Sequence, residues 1–214
     1  MPNPWLSIPL ADYEAHMSLP GVAQAPLLAD VLARATETYA PRSVAVLGCA
    51  GGNGFDGLIA AGVERVVGVD INPAYIEATR ARFGARIPRL ELFVADVQHD
   101  AFAFDPVDLL FAGLLFEYVA VDVVLERIGF MLRPGGVLVS VVQLPSAAAA
   151  EVTPSPHVSL AALAPVMRLL PPERLRELAG ARGYREESGW TLDTIAGKQL
   201  HVQVFTRDPD QKQR

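Results

Sequence analysis

Short runs of continuous apolar residues alternate with amphipathic stretches from about residue 27 onward, and this alternation sets the expected order of elements. "PLLADVLARATETYAP" places Leu28, Val31, Leu32, Ala35 and Tyr39 at helical spacing, with Pro26 and Pro41 as limits. "SVAVLG" predicts a strand, "FDGLIAAG" a helix ending near Gly62, and "RVVGVD" a second strand. In "NPAYIEATRARFG", Asn72 caps a helix, Pro73 suits its first position and Gly84 ends it. "LELFVAD" and "VDLLFAG" predict strands three and four. From Tyr118 the spacing turns helical, with Val121, Val124, Leu125, Ile128 and Leu132 on one face. "RPGG" then stops that helix and "VLVSVVQL" follows as a strand. "PERLRELAGARG" predicts the last helix, and β-type runs at "YREESGWTLD" and "QLHVQVFTR" close the pattern.

Strands that alternate with helices, and that are apolar throughout, predict an α/β fold with a mostly parallel sheet covered on both faces. Residues 1–41 are expected to form an N-terminal arm and helix acting as a lid, with a short helix near Asp12 to Met17. Residues 42–207 form the main domain, with an Ala-, Pro- and Ser-rich insertion at 145–171 placed to shape a substrate region. Residues 208–214 are a polar tail.

Composition narrows the function classes. A chain of 214 residues buries a substantial core, and a formal net charge of -6 argues against a surface built to grip nucleic-acid backbone. The single cysteine, Cys49, excludes an internal disulfide and a Cys-based zinc cluster. No His, Asp or Glu cluster has metal-ligand spacing, so no metal is expected. The amino terminus does not read as a signal peptide, and no run of about 18 apolar residues suggests a membrane span. A cytoplasmic protein without membrane or nucleic-acid partners is the expectation. A homodimer is compatible with the sequence but not specified by it.

The chemistry concentrates at predicted strand tips, where ligands bind in open parallel sheets. Gly48-Cys49-Ala50-Gly51-Gly52-Asn53-Gly54 follows the first strand, a turn where bare backbone can meet a ligand. No window of it fits the dinucleotide pattern G-x-G-x-x-G, although Asp70 follows Gly48 by 22 residues at the tip of the second strand. A carboxylate there can accept hydrogen bonds from both hydroxyls of a ribose; its bland alternative is a cap on the next helix. Asp96, at the third tip, can take the exocyclic amine of adenine, and the Val97 amide can donate to a ring nitrogen. Together the three tips favour an adenosine-containing ligand.

At these residues the chain resembles the class I methyltransferases that use S-adenosylmethionine. "VLGCAGGNG" is similar to their first motif, "VVGVDINPAYIEATRARF" to their second strand and helix, and "VADV" to their adenine-contacting turn. "LERIGFMLRPGGVLVSVV" resembles their helix-turn-strand ahead of strand five, and "FDPVDLLFAGLLFEYV" their fourth strand and its sequel. The resemblance implies a three-layer sandwich whose seven-stranded sheet is mostly parallel and ends in an antiparallel hairpin, with an N-terminal helical arm. It implies S-adenosyl-L-methionine as cofactor and S-adenosyl-L-homocysteine as product. The cofactor residues it implies are Gly48, Cys49, Ala50, Gly51, Gly52, Asn53, Asp70, Ile71, Asp96, Val97 and Gly113. Two departures stand out: Val46 replaces the family's usual acid, and Ala50 replaces its central glycine, which is tolerable if φ there is negative.

This family has no universal catalytic residue, because the cofactor supplies the reactivity and the protein aligns the reactants. Glu117 is the candidate for binding an amine or accepting a proton, with Tyr118 beside it. Trp5, Tyr13, Glu14 and His16 on the arm, and His157 in the insertion, are lid or substrate candidates; His99 and His201 look incidental. The acceptor is expected to be a small molecule. Three alternatives stay open: a non-catalytic cofactor-binding protein, an aminopropyl transferase, of whose paired acids only Glu117 is present, and an NAD-dependent oxidoreductase.

Overall fold

The computed structural model describes residues 3–145, 153–195 and 197–208. Its strands are β1 (Ser43–Leu47), β2 (Arg65–Asp70), β3 (Arg89–Val94), β4 (Val107–Gly113), β5 (Leu132–Gln143), β6 (Tyr184–Asp193) and β7 (Gln199–Arg207). They form one sheet in the order β3-β2-β1-β4-β5-β7-β6. β1 to β5 run parallel, and β7 lies antiparallel between β5 and β6. The mostly parallel sheet with a closing hairpin is therefore the fold observed. β1 has β2 on one side and β4 on the other, so the crossover changes direction there and opens a crevice at the strand tips.

The helices are α1 (Leu10–Ser18), α2 (Gln24–Tyr39), α3 (Phe55–Ala60), α4 (Pro73–Phe83), α5 (Val121–Met131) and α6 (Pro172–Gly180). Alternate residues of each central strand feed opposite cores. Val44 and Val46 pack with Leu32 of α2, Phe55 of α3 and Phe83 of α4. Ala45 and Leu47 pack with Leu125 and Ile128 of α5 and Leu175 of α6. A strand buried on both faces needs apolar side chains at every position, which explains the unbroken "SVAVL".

Two boundaries differ from the sequence expectation. α2 begins at Gln24, ahead of Pro26, because proline's missing N–H is harmless in a first turn, where amides have no intrahelical partner. "RPGG" does not separate helix from strand. β5 starts at Leu132, and its register against β4 jumps from Val107↔Leu132 to Leu109↔Val137, so Arg133 to Gly136 form a bulge. Gly135 takes φ 74° there, and Arg133 pairs with the Asp108 carboxylate across it.

The arm is fastened to the strand tips. Asn72 caps α4 through its side-chain oxygen, which accepts from Ala74 N–H at 2.9 Å; its Nδ2 donates to Trp5 O at 2.9 Å and Ile8 O at 3.4 Å. Arg82 of α4 binds the Glu14 carboxylate of α1. Asp12 accepts from Ser159 Oγ at 2.6 Å and lies 3.3 Å from His157 Nδ1, which joins α1 to the segment around the 3-10 helix Val158–Leu163. Within the expected insertion, residues 146–152 lie outside the described residues, as do 209–214 of the expected tail. Among the described residues, no helix is long and apolar enough to cross a membrane, and no group of three or more His, Cys, Asp or Glu is placed to hold a metal ion.

Candidate functional site

The turn after β1 is built by hydrogen bonds to β2. The N–H groups of Gly48 and Cys49 both donate to Val69 O, at 2.8 and 3.1 Å. Ala50 N–H donates to Asp70 Oδ2 at 2.9 Å, and Ala50 O accepts from Thr79 Oγ1 at 2.8 Å. Ala50 has φ 47°, not the negative value expected for an alanine in a glycine position. A left-handed alanine costs about 1–2 kcal/mol, and here both of its backbone polar groups are held by buried partners that offset this.

Beyond Ala50 the turn leaves the crevice. A Cβ on Gly51 would lie 2.4 Å from both Arg82 Nη1 and Glu14 Oε1, and one on Gly52 would lie 2.5 Å from the Phe83 ring. Asn53 Nδ2 donates to Ala25 O at 2.9 Å, and the Cys49 thiol is buried beside Gly68. Burial first, then the nearby Asp70 charge, pushes that thiol well up. Cys49, Gly51, Gly52 and Asn53, expected at the cofactor, thus line no part of the cavity at the strand tips. The glycines there admit the packing of α1 and α4.

That cavity is lined by Gly48, Ala50, Asp70, Ile71, Asp96, Val97 and Gly113, all named from sequence, and by Trp5, Tyr13 and Tyr118. Asp70 is 8 % exposed; besides Ala50 its Oδ1 accepts from Asn72 N–H at 2.9 Å. It is not the helix cap, since Asn72 fills that role. Burial raises its pKa to about 6 against the opposing pull of the Asn72, Ala50 and Ile71 amides. Asp96 accepts from Gln98 N–H at 2.8 Å and lies 3.0 Å from His99 Nδ1. Burial pushes its carboxyl up, but His99 and the Gln98 amide outweigh it and hold it below the usual value. His99, read as incidental, thus steadies Asp96.

Sequence reasoning passed over Tyr75, Gln98 and Leu114, which also line the cavity. The Tyr75 hydroxyl is buried without a hydrogen-bond partner among the described residues. An aromatic five positions after a strand-tip acid, in the first turn of the helix, was the available signal. Leu114 has φ 53°, an uncommon conformation for a leucine, held by its N–H donating to Val141 O at 2.8 Å. Val46, at the position of the family acid, is buried in the core and presents nothing to the cavity.

A second cavity adjoins the first and shares Trp5, Tyr13, Leu114 and Tyr118 with it. Its other walls include His16, Gln24, Gln143 and Lys198, with Met17, Leu160, Leu163 and Met167 on the apolar side. His157 and Glu14 line neither cavity; their partners are Asp12 and Arg82. His201 lies in β7 beside Thr191 Oγ1.

Residues 44–136 match a family model described as a methyltransferase domain. Over this stretch the chain is similar to that methyltransferase domain. Solved structures share the fold of this chain at low identity. The N-methyltransferase NodS from Bradyrhizobium japonicum, solved with S-adenosyl-L-homocysteine, has TM-score 0.65 at 16 % identity, covering 86 % of this chain and 87 % of its own. Geranyl diphosphate C-methyltransferase from Streptomyces coelicolor, solved with Mg2+, geranyl diphosphate and S-adenosyl-L-homocysteine, has TM-score 0.65 at 13 % identity, covering 83 % and 77 %. The cyclase SpnF has TM-score 0.66 at 13 % identity, covering 87 % and 83 %. No curated protein matches the sequence significantly.

Within the matched stretch, Glu117 does not occupy the place expected of it. It is 1 % exposed, lines neither cavity, and accepts from Gln143 N–H at 2.6 Å through Oε1. Its Oε2 is buried without a hydrogen-bond partner among the described residues. The 3-10 turn Phe116–Tyr118 rolls this side chain inward onto the end of β5, so it reaches neither cavity nor solvent. Burial raises its pKa to about 7, against the Gln143 amide. A carboxyl whose folded pKa is raised contributes stability fully present below its unfolded value near 4.5 and lost as pH rises through 7. Glu117→Gln should therefore flatten this dependence, and urea unfolding at acid and alkaline pH should show a difference between variant and wild type that changes by on the order of 3 kcal/mol. Parallel stability curves would exclude a buried ionising Glu117.

Proposed function

We propose that this chain is a methyltransferase that uses S-adenosyl-L-methionine and acts on a small-molecule acceptor. The observation that carries the reading is the convergence of Asp70 and Asp96, from the tips of β2 and β3, on one cavity that also borders Gly48. The residues present fit the cofactor. Asp70 keeps acceptor capacity for ribose hydroxyls beyond its two short backbone bonds. Asp96 and the Val97 amide offer an acceptor and a donor for adenine. The unpartnered Tyr75 hydroxyl supplies one more polar group in a wall that lacks the family acid.

When bound, the cofactor supplies a methyl group activated on a sulfonium. The protein has to hold the acceptor in line with that methyl group and keep water out. Trp5, Tyr13, Leu114 and Tyr118, common to both cavities, form the junction across which a group in the second cavity would face the first. Trp5 packs edge-on against both tyrosines, at 5.7 and 5.1 Å between ring centres, so the arm closes this junction with apolar surface. The apolar lining of the second cavity and the net charge of -6 support a small acceptor over a nucleic acid.

The raised pKa of Asp70 gives a test in pH. Ribose hydroxyls donate to the carboxylate, so protonation removes an acceptor and weakens binding as pH falls through about 6. Calorimetric titration with S-adenosyl-L-homocysteine should give affinity about tenfold lower at pH 5 than at pH 7.5. Affinity independent of pH over that interval would remove Asp70 from the ribose.

A further inference from the structure

His16 on α1 is a wall of the second cavity and is only 7 % exposed; its Nδ1 is buried with no hydrogen-bond partner among the described residues. An unmet buried ring nitrogen is costly, and a ligand carrying a proton to share would relieve it. We propose that the His16 imidazole accepts the proton of the methyl acceptor, and that the acceptor is a small hydroxyl compound of phenolic type. The proposal rests on the methyl-transfer reading above and names the substrate class of that site.

The surroundings favour a neutral ring. Burial, then the charges of Lys198 and His157, lower the His16 pKa from its ordinary value, so at neutral pH it has a lone pair to offer. Lys198 approaches from the turn between β6 and β7, and His157 precedes the 3-10 helix Val158–Leu163, where Asp12 of α1 engages it. Tyr13 and Tyr118 are the other titratable walls, and burial first, joined by nearby carboxylates, pushes both phenols up, so they stay protonated. Glu117 is turned away onto the Gln143 amide.

The same walls select the acceptor. No Asp or Glu occurs among the described residues lining the second cavity, so an ammonium group would lose hydration there without a counter-charge. Met17, Leu160, Leu163 and Met167 suit a flat apolar ring instead. In the reaction the acceptor oxygen bonds to the transferred methyl carbon, and the electron pair of the breaking carbon–sulfur bond stays on sulfur. The acceptor's proton passes to His16, which becomes imidazolium and returns the proton to solvent.

Calorimetry with S-adenosyl-L-homocysteine comes first. Wild type and His16→Gln should bind it within about twofold of each other, because His16 lies outside the first cavity. Absence of binding by wild type would defeat the methyl-transfer reading, separately from the role of His16. Labelled methyl transfer is then followed between about pH 5 and 9, with 4-methylphenol, which keeps its proton over this range, as the acceptor and benzylamine as the amine comparison. The wild-type rate on 4-methylphenol should rise with pH to a plateau, with a midpoint below that of an ordinary histidine. His16→Gln should lose that rise and roughly 10²–10⁴-fold in rate. An unchanged pH profile in the variant, or transfer to benzylamine or to neither compound, overturns the proposal. Should the variant not fold, NMR titration of the His16 ring in the wild-type protein saturated with S-adenosyl-L-homocysteine decides instead. Its midpoint should move when 4-methylphenol is added, and a midpoint that stays put overturns the proposal.

Discussion

Asp70→Ala is expected to weaken S-adenosyl-L-homocysteine binding by roughly 1.5–3 kcal/mol, or about ten- to more than a hundredfold, the range for hydrogen bonds to a charged group. The structure adds a second consequence. Asp70 also accepts from Ala50 N–H and Asn72 N–H, each at 2.9 Å. Alanine would leave two buried amides unmet and release Ala50 from its left-handed conformation. Asp70→Asn separates the two effects: it keeps one acceptor oxygen but aims an NH2 group at one of those amides. We expect alanine to lower both affinity and stability, and asparagine to fall between alanine and wild type in affinity. Calorimetry on folded protein, paired with thermal unfolding, measures both. Wild-type affinity in a folded Asp70→Ala protein would disprove the ribose assignment.

Phe55→Ala should destabilise the protein by about 3–5 kcal/mol, the range for emptying a fully buried aromatic site. Phe55 is 0 % exposed and opens α3 directly after the turn. Its ring meets Phe83 of α4 at 5.3 Å between centres, and its Cζ would lie 3.5 Å from a Cβ on Gly68 of β2. It therefore wedges the turn against two elements whose ends build the first cavity. Cofactor affinity should fall with stability, because Gly48 and Ala50 depend on that seating. Urea unfolding that shows a loss below about 1.5 kcal/mol would mean α3 is anchored by something other than this ring.

These two residues differ in how plainly the sequence announced them. The place of Asp70 at the cavity is legible because an acid at the end of "RVVGVD" marks a strand tip beside a glycine turn. Phe55 carried no comparable sign, since an aromatic at a helix start has no periodicity of its own. Tyr75 carries a positional sign instead, five residues after the Asp70 tip in the first turn of α4, with no motif spacing to accompany it. Glu117 was misplaced because a lone acid after a strand reads as exposed, and only the 3-10 turn shows it rolled inward. Gly51 and Gly52 belonged to a motif whose ligand-facing members cannot be separated from its packing members by spacing alone.

By itself the sequence determined the order of strands and helices along the chain, the two-faced burial of the central strands and the strand tips that carry acids. These follow from local patterns: a strand covered on both sides must be apolar at every position, and a capped helix states its own ends. The tertiary structure decided which tip residues share a cavity, which glycines serve packing, and that His16 from the arm meets Gln143 and Lys198 from the far end of the chain. Contacts between residues so distant in sequence depend on how the twisted sheet and the arm place them, and no local spacing encodes that placement.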